Sequence, residues 1–312
     1  MVYTVTLNAS LDYIISVDDF RWGYTNRTAA EQILPGGKGI NVSIVLHALG
    51  VENIALGFIA GFIGEEIKRM VEQSGCRQDF ITLPDGLSRI NIKMKFRDGT
   101  EINGQGPRIS LAALEQLMEQ LKQLQEGDIL VLAGNIPPSL PESLYRDMMS
   151  VLEDRHIMVV VDAAKNQLVH VLHYHPFLVK PNIHELGEIF HVEIRSKEDL
   201  YIYGKKLQKM GARNVLVSMG GDGAMLFAED GKHYTLAAPE GTLVNGVGAG
   251  DSMVAGFLAG WLEKQDYPYA FQMGVAAGSA SAYSSQLATK AEVEQLMRQI
   301  QQTQSIEGRK SS

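Results

Sequence analysis

Residues Asn245–Gly260 read NGVGAGDSMVAGFLAG and place three glycines in front of a single carboxylate, Asp251. After Asp251, large apolar side chains recur at helical spacing and small residues fill the other side, which predicts a helix buried on most of its circumference. That helix would begin within Gly248–Asp251. The free N–H groups at a helix start attract anions, and glycines let an anion reach the backbone. The stretch therefore predicts an anion-binding turn with a carboxylate beside it.

The carboxylate of Asp251 has two interpretations. In the first, Asp251 is a base, because backbone donors around a transferring group, next to a carboxylate that takes a proton, form the arrangement that phosphoryl transfer requires. In the second, Asp251 only caps the helix and the glycines only make a tight turn. The residues of this stretch alone leave both interpretations open.

Three further segments combine a turn or strand end with groups that bind ligands. Gly36–Asn41, GGKGIN, holds a lysine in a glycine-rich turn before a helix, where the lysine can reach a phosphate or a carboxylate. Ser218–Gly223, SMGGDG, ends a predicted strand, and ligands bind at strand ends of parallel sheets. Lys180–Glu185, KPNIHE, offers amide and carboxylate oxygens that suit a hydrated Mg²⁺ near a nucleotide. Each segment also has a plainer interpretation, as a solvated loop, a tight turn or a helix cap.

The spacing of the residues excludes several other motifs. The chain has no G-x-x-x-x-G-K-[ST] loop, and Met253 stands where a dinucleotide-binding G-x-G-x-x-G needs its last glycine. A serine hydrolase built on the GDS at 250–252 would need a downstream histidine, but the last histidine is His233. His184-Glu185 is followed by Glu188 instead of the second histidine of a zinc-protease helix.

The composition is that of an acidic globular protein. The 312 residues are 45% hydrophobic and 21% charged, with a net charge of −8, so we expect no nucleic-acid partner. The single cysteine, Cys76, cannot form an internal disulfide. The N-terminus alternates like a strand without the features of a signal peptide, and no apolar window reaches about 18 residues. These features favour a cytoplasmic protein without a membrane segment.

Short apolar runs alternate with amphipathic segments, which predicts an α/β fold with helices on each side of a mostly parallel sheet. Two stretches, about 13–34 and 88–104, instead alternate with period two, and with the Asp98-Gly99 turn they predict a small exposed β-sheet. We expect one domain over 1–312, with that sheet as a lid and a flexible tail at 305–312. The predicted strands are Val2–Leu7, Ile54–Ile59, Ile129–Ala133, Met158–Val161, Phe177–Val179 and Val215–Ser218. The predicted helices are Leu111–Leu124, Leu144–Leu152 and Leu200–Met210.

In order and over nearly the whole chain, the four motifs resemble those of the ribokinase-like sugar kinases of the phosphofructokinase B family. The matching elements are Gly36–Asn41, Asn182–Glu185, Ser218–Gly223 and Gly248–Asp251. Within the family, segments such as TLNASLDY, RINIKMK and EINGQGP are most similar to the 1-phosphofructokinases, with the tagatose-6-phosphate kinases as near neighbours. The resemblance implies a three-layer α/β/α sandwich with a small β-sheet lid.

The resemblance also implies roles for individual residues. Asp251 would be the base, and the N–H groups of Gly248, Ala249 and Gly250 would hold the transferring phosphoryl group. The implied acceptor site comprises Asp12, Gly37 and Asn41 for the sugar hydroxyls, and Lys38, Arg89 and Arg27 for the phosphate already on the sugar. The implied ATP site comprises Lys180, Asn182, Ser218, Gly220, Gly223 and Asn245, with Asn182 and Glu185 near Mg²⁺.

The expected function is Mg·ATP-dependent phosphorylation of fructose 1-phosphate at O6. A sugar phosphate that approaches a nucleotide in a protein of net charge −8 needs local cations. Cations in or near the predicted lid are Arg27, Lys38, Arg89, Lys93 and Lys95. Two alternatives stay open: a tagatose-6-phosphate kinase, and a non-catalytic sugar-phosphate or nucleotide sensor on the same fold. The exposed edges of the lid indicate a route to a homodimer.

Overall fold

The structure, a computed structural model, describes residues 1–95 and 99–310. Its strands are β1 Val2–Thr6, β2 Ser10–Ser16, β3 Ala30–Gly36, β4 Asn53–Ala60, β5 Arg77–Leu83, β6 Arg89–Lys95, β7 Thr100–Asn103, β8 Ile129–Ala133, β9 Met158–Asp162, β10 Leu178–Val179, β11 Asn214–Ser218, β12 Ala224–Phe227 and β13 His233–Leu236. Its α-helices are α1 Lys38–Ala48, α2 Gly61–Gln73, α3 Leu111–Leu121, α4 Leu144–Ser150, α5 Lys165–Val171, α6 Ile183–Phe190, α7 Lys197–Lys209, α8 Ala249–Lys264, α9 Tyr267–Ala282 and α10 Lys290–Lys310.

The larger sheet has nine strands in the order β13-β12-β11-β10-β9-β8-β1-β4-β5. Neighbours from β11 to β5 pair in parallel, while β12 and β13 pair antiparallel at one edge. Because both faces of the parallel strands are covered, their sequences are almost continuously apolar. The carboxyl ends of these strands meet along one edge of the sheet, where ligands bind in folds of this class.

Helices cover the sheet on both faces and make it the middle of three layers. One apolar core lies between the sheet and α3 to α7, with Leu117, Leu186 and Leu207 as fully buried members. On the other face, α1, α8, α9 and α10 enclose a second core, and α2 packs beside α1. Helix α8 lies deep in that second core, since every residue from Asp251 to Gly260 is buried.

The smaller sheet has four strands in the order β3-β2-β6-β7. β2 pairs antiparallel with β3 and parallel with β6, and β6 forms a hairpin with β7. Side chains alternate across this sheet, so that Asp12, Asn91 and Lys93 share one face while Ile33 and Ile102 share the other. We call this sheet the lid and the face with Asp12 its inner face.

The predicted three-layer fold with a mostly parallel sheet and a small β-sheet is confirmed. The lid strands reach beyond the predicted limits, because β2 begins at Ser10 and β3 ends at Gly36. Gly99 has the positive φ expected of the hairpin turn, while Asp98 lies outside the described residues. Three strands, β5, β12 and β13, were not predicted from the sequence.

Helix α10 continues through part of the predicted tail, as far as Lys310. Whether 305–312 is flexible stays a prediction. None of the helices in residues 1–95 and 99–310 combines the length and the apolar character of a membrane-spanning segment.

Candidate active site

A cavity of about 1180 Å³ lies between the carboxyl ends of the parallel strands and the inner face of the lid. We call it the main cavity. It brings together most of the predicted site residues, from segments far apart in the chain. Those on its lining are Asp12, Gly37, Lys38, Asn41, Arg89, Lys180, Asn182, Glu185, Ser218, Gly220, Gly223, Gly248, Ala249, Gly250 and Asp251.

Helix α8 begins at the cavity with no side chain capping it. Its N-cap is Gly248, in the left-handed region at φ 78°, which a residue without Cβ adopts at little cost. No side chain occupies the first N–H groups of the helix, although that of Ala249 donates to the carbonyl oxygen of Gly246 at 3.3 Å, and the helix dipole favours an anion there. A Cβ on Gly250 would lie 3.1 Å from Nζ of Lys180, so that this ammonium sits directly against the helix start.

Asp251 lies in the first turn of α8 and is only 6% exposed. Burial raises the pKa of Asp251 to about 6, and the charge of Asp162 adds to the rise, while Lys38, a hydrogen bond from Asn41 and Lys180 oppose it. Nδ2 of Asn41 donates to Oδ2 at 2.7 Å and so fixes the carboxylate. A buried carboxylate with a pKa near neutrality is suited to accept a proton.

The turn between β3 and α1 lies tightly against β1, and its glycines make this possible. A Cβ on Gly37, at φ 120°, would lie 2.5 Å from Cγ2 of Thr6, and one on Gly39 would lie 2.6 Å from Oγ1 of the same threonine. That hydroxyl accepts a hydrogen bond from the N–H of Ile40 at 2.9 Å. The close packing brings Lys38 and Asn41 to the floor of the main cavity.

Lys38 and Lys180 share one buried carboxylate, Asp162, at the end of β9. Asp162 is 1% exposed; its Oδ1 lies 3.1 Å from Nζ of Lys38 and its Oδ2 lies 3.5 Å from Nζ of Lys180. Although burial opposes its charge, Lys180 and Lys38 hold the pKa of Asp162 below its usual range. Burial alone would lower the pKa of Lys38, but Asp162 and Asp251 raise it above its usual range. Lys38 therefore stays charged, and Asp162 holds both lysines in place.

On the inner face of the lid, the carboxylate of Asp12 accepts three hydrogen bonds or ion pairs. Its Oδ1 accepts from Oγ of Ser10 at 2.8 Å and from Nδ2 of Asn91 at 2.9 Å. Its Oδ2 lies 2.8 Å from Nζ of Lys93. Asp12 thus neutralises the charge of Lys93. The sequence led us to expect Lys93 as a free cation for a phosphate, and this expectation is wrong.

The part of the cavity near β11 is open and lined by backbone. Adding a Cβ at Gly220 or Gly221 would meet no atom within 4 Å, so a ligand has room there. Asn182 and Glu185 line the same region, and they also form a capping box at the start of α6, with two reciprocal hydrogen bonds of 2.8 Å. The helix-cap interpretation of these residues is therefore correct, and it leaves Oε1 of Glu185 outside the cap.

A second cavity, of about 770 Å³, adjoins the first, and Gly37, Lys38, Arg89 and Asn135 line both. We call it the side cavity. Among the described residues, its charged lining groups are Lys38, Arg89 and Arg108, with no carboxylate. Arg89 donates from Nε to the carbonyl oxygen of Asn8 at 3.1 Å, and burial lowers its pKa. The side cavity is therefore a cationic recess beside a main cavity that contains carboxylates.

Two predicted site residues lie elsewhere. Arg27 is exposed on the segment between β2 and β3 and lines neither cavity, so its expected role at the acceptor phosphate stays a prediction. Lys95 also lines neither. Asn245 lines a smaller adjoining cavity of about 140 Å³, and its Oδ1 accepts from the N–H of Val247 at 3.1 Å. The hydroxyl of Ser252 is buried and donates to the carbonyl oxygen of Gly248, which removes the serine-hydrolase alternative.

Four further residues line these cavities and were not predicted as site residues: Asp162, Asn91, Arg108 and Asn135. Asp162 had a usable signal, because a carboxylate that directly follows a buried apolar run belongs at a strand end. The sequence also held a signal for Asn91, since this residue is one of the polar residues that alternate with apolar ones in RINIKMK. The positions of Arg108 and Asn135 depend on loops that follow β7 and β8, and no local pattern indicates that these loops meet.

Comparison with known proteins places this site in a family. The model of the pfkB family carbohydrate kinases matches residues 5–294. The 1-phosphofructokinase of Bacillus subtilis (strain 168) is 47% identical over 303 residues, which cover 97% of this chain and 99% of the relative. A D-tagatose-1-phosphate kinase of Bacillus licheniformis is 34% identical, with coverages of 97% and 99%.

Solved structures agree with this assignment. A putative phosphofructokinase from Staphylococcus aureus has a TM-score of 0.84 at 41% identity, covering 96% of this chain and 97% of the other. The ribokinase of Arabidopsis thaliana has a TM-score of 0.78 at 19% identity, with coverages of 95% and 98%, and shows the shared fold. The predicted family and enzyme class are confirmed, and a kinase of this kind uses ATP as its phosphoryl donor. The chain belongs to the pfkB family of carbohydrate kinases.

Proposed function

We propose that this chain transfers the γ-phosphoryl group of Mg·ATP to the 6-hydroxyl of fructose 1-phosphate, giving fructose 1,6-bisphosphate and ADP. The observation that carries the proposal is the junction of the two cavities. The buried carboxylate of Asp251 and an uncapped helix start face the main cavity, while the adjoining side cavity offers only cations among its described charged groups. An acceptor that already bears a phosphate fits this pair of cavities.

In the proposed reaction, Asp251 accepts the proton of the attacking hydroxyl. The oxygen at C6 forms a bond to the γ-phosphorus as the bond from that phosphorus to the β-phosphate oxygen breaks, and ADP leaves with the bonding electrons. The helix start at Gly248–Gly250 and the ammonium of Lys180 beside it would face the transferring group as it gains negative charge. Asn41 keeps the carboxylate aimed at the hydroxyl.

The phosphate at C1 would lie in the side cavity, mainly against Arg89 and Arg108, with Lys38, whose charge is shared with Asp162, beside them. Arginine binds phosphate through a planar fork of donors, and a recess without carboxylates does not repel the dianion. Two of the relatives, the 1-phosphofructokinase and the D-tagatose-1-phosphate kinase, bear names that place the existing phosphate at C1, on fructose and on its C4 epimer tagatose. These names favour a 1-phosphate over a 6-phosphate as acceptor.

The residues near α6 fit a hydrated Mg²⁺ that is held mainly by the nucleotide. The main cavity is lined by six carboxylates and four cationic side chains, so two polyanionic substrates need a further cation. Among the described residues, no group of three His, Cys, Asp or Glu side chains could hold a metal alone. Oε1 of Glu185 lies outside the helix cap and could receive metal-bound water. When bound, Mg²⁺ would offset charge on the phosphates.

We further propose a homodimer through the outer face of the lid. Ile33, Ile90 and Ile102 share that face and are 47%, 41% and 60% exposed, which forms an exposed apolar patch. Sedimentation should give a dimer for the unchanged chain and a monomer for Ile102→Lys. A monomeric unchanged chain would contradict this. The predicted cytoplasmic location stays a prediction.

An acceptor panel tests the proposed function. ADP release is followed with fructose 1-phosphate, fructose 6-phosphate, tagatose 1-phosphate, tagatose 6-phosphate and fructose, and kcat/KM is compared. We expect the highest kcat/KM for fructose 1-phosphate. A higher value for tagatose 6-phosphate would favour the alternative kinase, and no ADP release with any acceptor would favour a sensor.

A further inference from the structure

The inner face of the lid contains one buried amide oxygen that no protein group satisfies. Asn91, on β6, is 5% exposed, and its Oδ1 has no hydrogen-bond partner. Leaving such a group unpaired costs about 1–3 kcal/mol, so buried polar atoms in native proteins are normally paired. Asn91 lines the main cavity while its Oδ1 is closed to solvent, so a ligand in that cavity can supply the missing partner after a small movement of the neighbouring side chains.

The orientation of this amide is fixed by its neighbours. Nδ2 of Asn91 donates to Oδ1 of Asp12, and a carboxylate can only accept. Turning the amide around would place its oxygen against that carboxylate oxygen. Ser10 and Lys93 hold Asp12 in place from two other sides, at 2.8 Å each. The oxygen of Asn91 is therefore a fixed acceptor, and its partner must be a hydrogen-bond donor.

This requirement separates the two ends of the acceptor. A phosphate dianion carries no proton to donate, so it cannot satisfy Oδ1 of Asn91, whereas a sugar hydroxyl can. Arg89, two residues earlier on the same face of β6, also lines the side cavity. Alternate residues of a strand are about 7 Å apart. That distance is of the order separating a phosphate at C1 from the ring hydroxyls of a ketohexose.

We propose that Asn91 determines specificity for the acceptor sugar by accepting a hydrogen bond from one secondary ring hydroxyl, at C3 or C4. Asp12 and Lys93 are the positioning residues that aim its oxygen. The inference rests on the proposed function, in that the acceptor is a ketohexose phosphate. It goes beyond that function by naming the protein atom that accepts a hydrogen bond from a ring hydroxyl of the acceptor sugar.

The test pairs one variant with single-hydroxyl changes in the substrate. Wild type and Asn91→Leu are compared with fructose 1-phosphate and its 3-deoxy and 4-deoxy analogues. One analogue should lose at least about ten-fold in kcat/KM with wild type, because it leaves the amide oxygen unpaired. With Asn91→Leu, the same analogue should lose less than about three-fold relative to fructose 1-phosphate. The KM for ATP should not change.

Two further variants keep the comparison interpretable. Asn91→Ala removes the amide without adding bulk, and should give the same pattern if the leucine variant melts at a lower temperature. Gln32→Leu changes an amide on β3 that lines none of the cavities described above, and should keep the full discrimination of wild type. The proposal is overturned if the variants at Asn91 lose activity equally with all three acceptors, or lose none.

Failure of the proposed function would look different. If wild type prefers another ketohexose phosphate, the deoxy series of that acceptor is used, and the coupling with Asn91 decides the proposal there. If none of the acceptors causes wild type to release ADP, the binding of fructose 1-phosphate and its deoxy analogues is measured by calorimetry in place of turnover. Equal loss of affinity for all three ligands on Asn91→Leu would again overturn the role of Asn91.

Discussion

The pH dependence of kcat/KM should move in opposite directions when two neighbours of Asp251 are changed. The perturbations are Asp162→Asn, which removes a negative charge that raises the pKa of Asp251, and Asn41→Leu, which removes a hydrogen bond that lowers it. Because Asp162 also neutralises Lys38 and Lys180, its loss strengthens their effect on Asp251 in the same direction. The first variant should therefore lower the pKa of the base and the second should raise it.

The size of the expected change in kcat/KM follows from the fraction of Asp251 that is ionised at each pH. With a pKa of about 6, about one-tenth of Asp251 is ionised at pH 5, so kcat/KM of the unchanged enzyme should fall about ten-fold from its plateau. Removing a nearby charge shifts a pKa by of the order of one unit. With Asp162→Asn, about half of the plateau value should then remain at pH 5. With Asn41→Leu, the fall should already be visible near pH 7.

The assay is ADP release at subsaturating fructose 1-phosphate from pH 5 to 9, with each profile normalised to its own plateau. The second ionisation of a sugar phosphate also lies near pH 6, but it is common to all variants, so differences between variants report the protein. Asp230→Asn, an exposed change of the same charge that lines neither cavity, is the control. Profiles that coincide for all four proteins, or shifts in the same direction for both variants, would refute the assignment of the acid limb to Asp251.

Three further changes test other parts of the site. Asp251→Asn should raise the free energy of unfolding at pH 8 by up to about 3 kcal/mol. The folded pKa of Asp251 is raised from 3.8 to about 6, so the unchanged protein loses stability as the pH rises through that window. The gain from the substitution should vanish near pH 4, and denaturant titrations at the two pH values check it. Arg108→Gln should raise the KM for fructose 1-phosphate about ten-fold and leave the KM for ATP unchanged in initial-rate assays, whereas a change in both would contradict a contact with the acceptor phosphate. Glu185→Gln should raise the Mg²⁺ concentration needed for half-maximal rate several-fold at fixed ATP, and an unchanged requirement would remove Glu185 from the metal environment.

The parts of the site that the sequence predicted are local in character. Neighbouring residues alone predict the turn before α8, since glycines at 246, 248 and 250 precede a helical pattern with small residues on one side. Gly36–Asn41 has the same form at the start of α1. Helix starts and glycine turns follow from a few neighbouring residues, so these two elements could be placed before the fold was known.

The pairings between charged groups could not be predicted in this way. Lys38 and Asp162 are 124 residues apart in sequence and meet only because β9 ends beside the turn that precedes α1. Lys93 was expected to face a phosphate, but the register of β2 and β6 places it against Asp12. A cation count from sequence therefore overstates the positive charge available to a substrate.

The NIHE segment shows why one motif can have two correct interpretations. Asn182 and Glu185 satisfy each other's backbone N–H groups at the start of α6, as in an ordinary capping box. The same two side chains line the main cavity. A helix that begins at the edge of a ligand site needs its cap there, so a structural role does not argue against a role in binding.

The central claim is that Asp251 accepts the proton of the acceptor hydroxyl at the start of α8. The most direct measurement is kcat and KM of Asp251→Asn with fructose 1-phosphate and Mg·ATP, since this change keeps the side chain's size and its hydrogen bond from Asn41. We predict a kcat lowered by about 10²–10⁴-fold with a modest change in KM. A variant that turns over at nearly the wild-type kcat would contradict the claim.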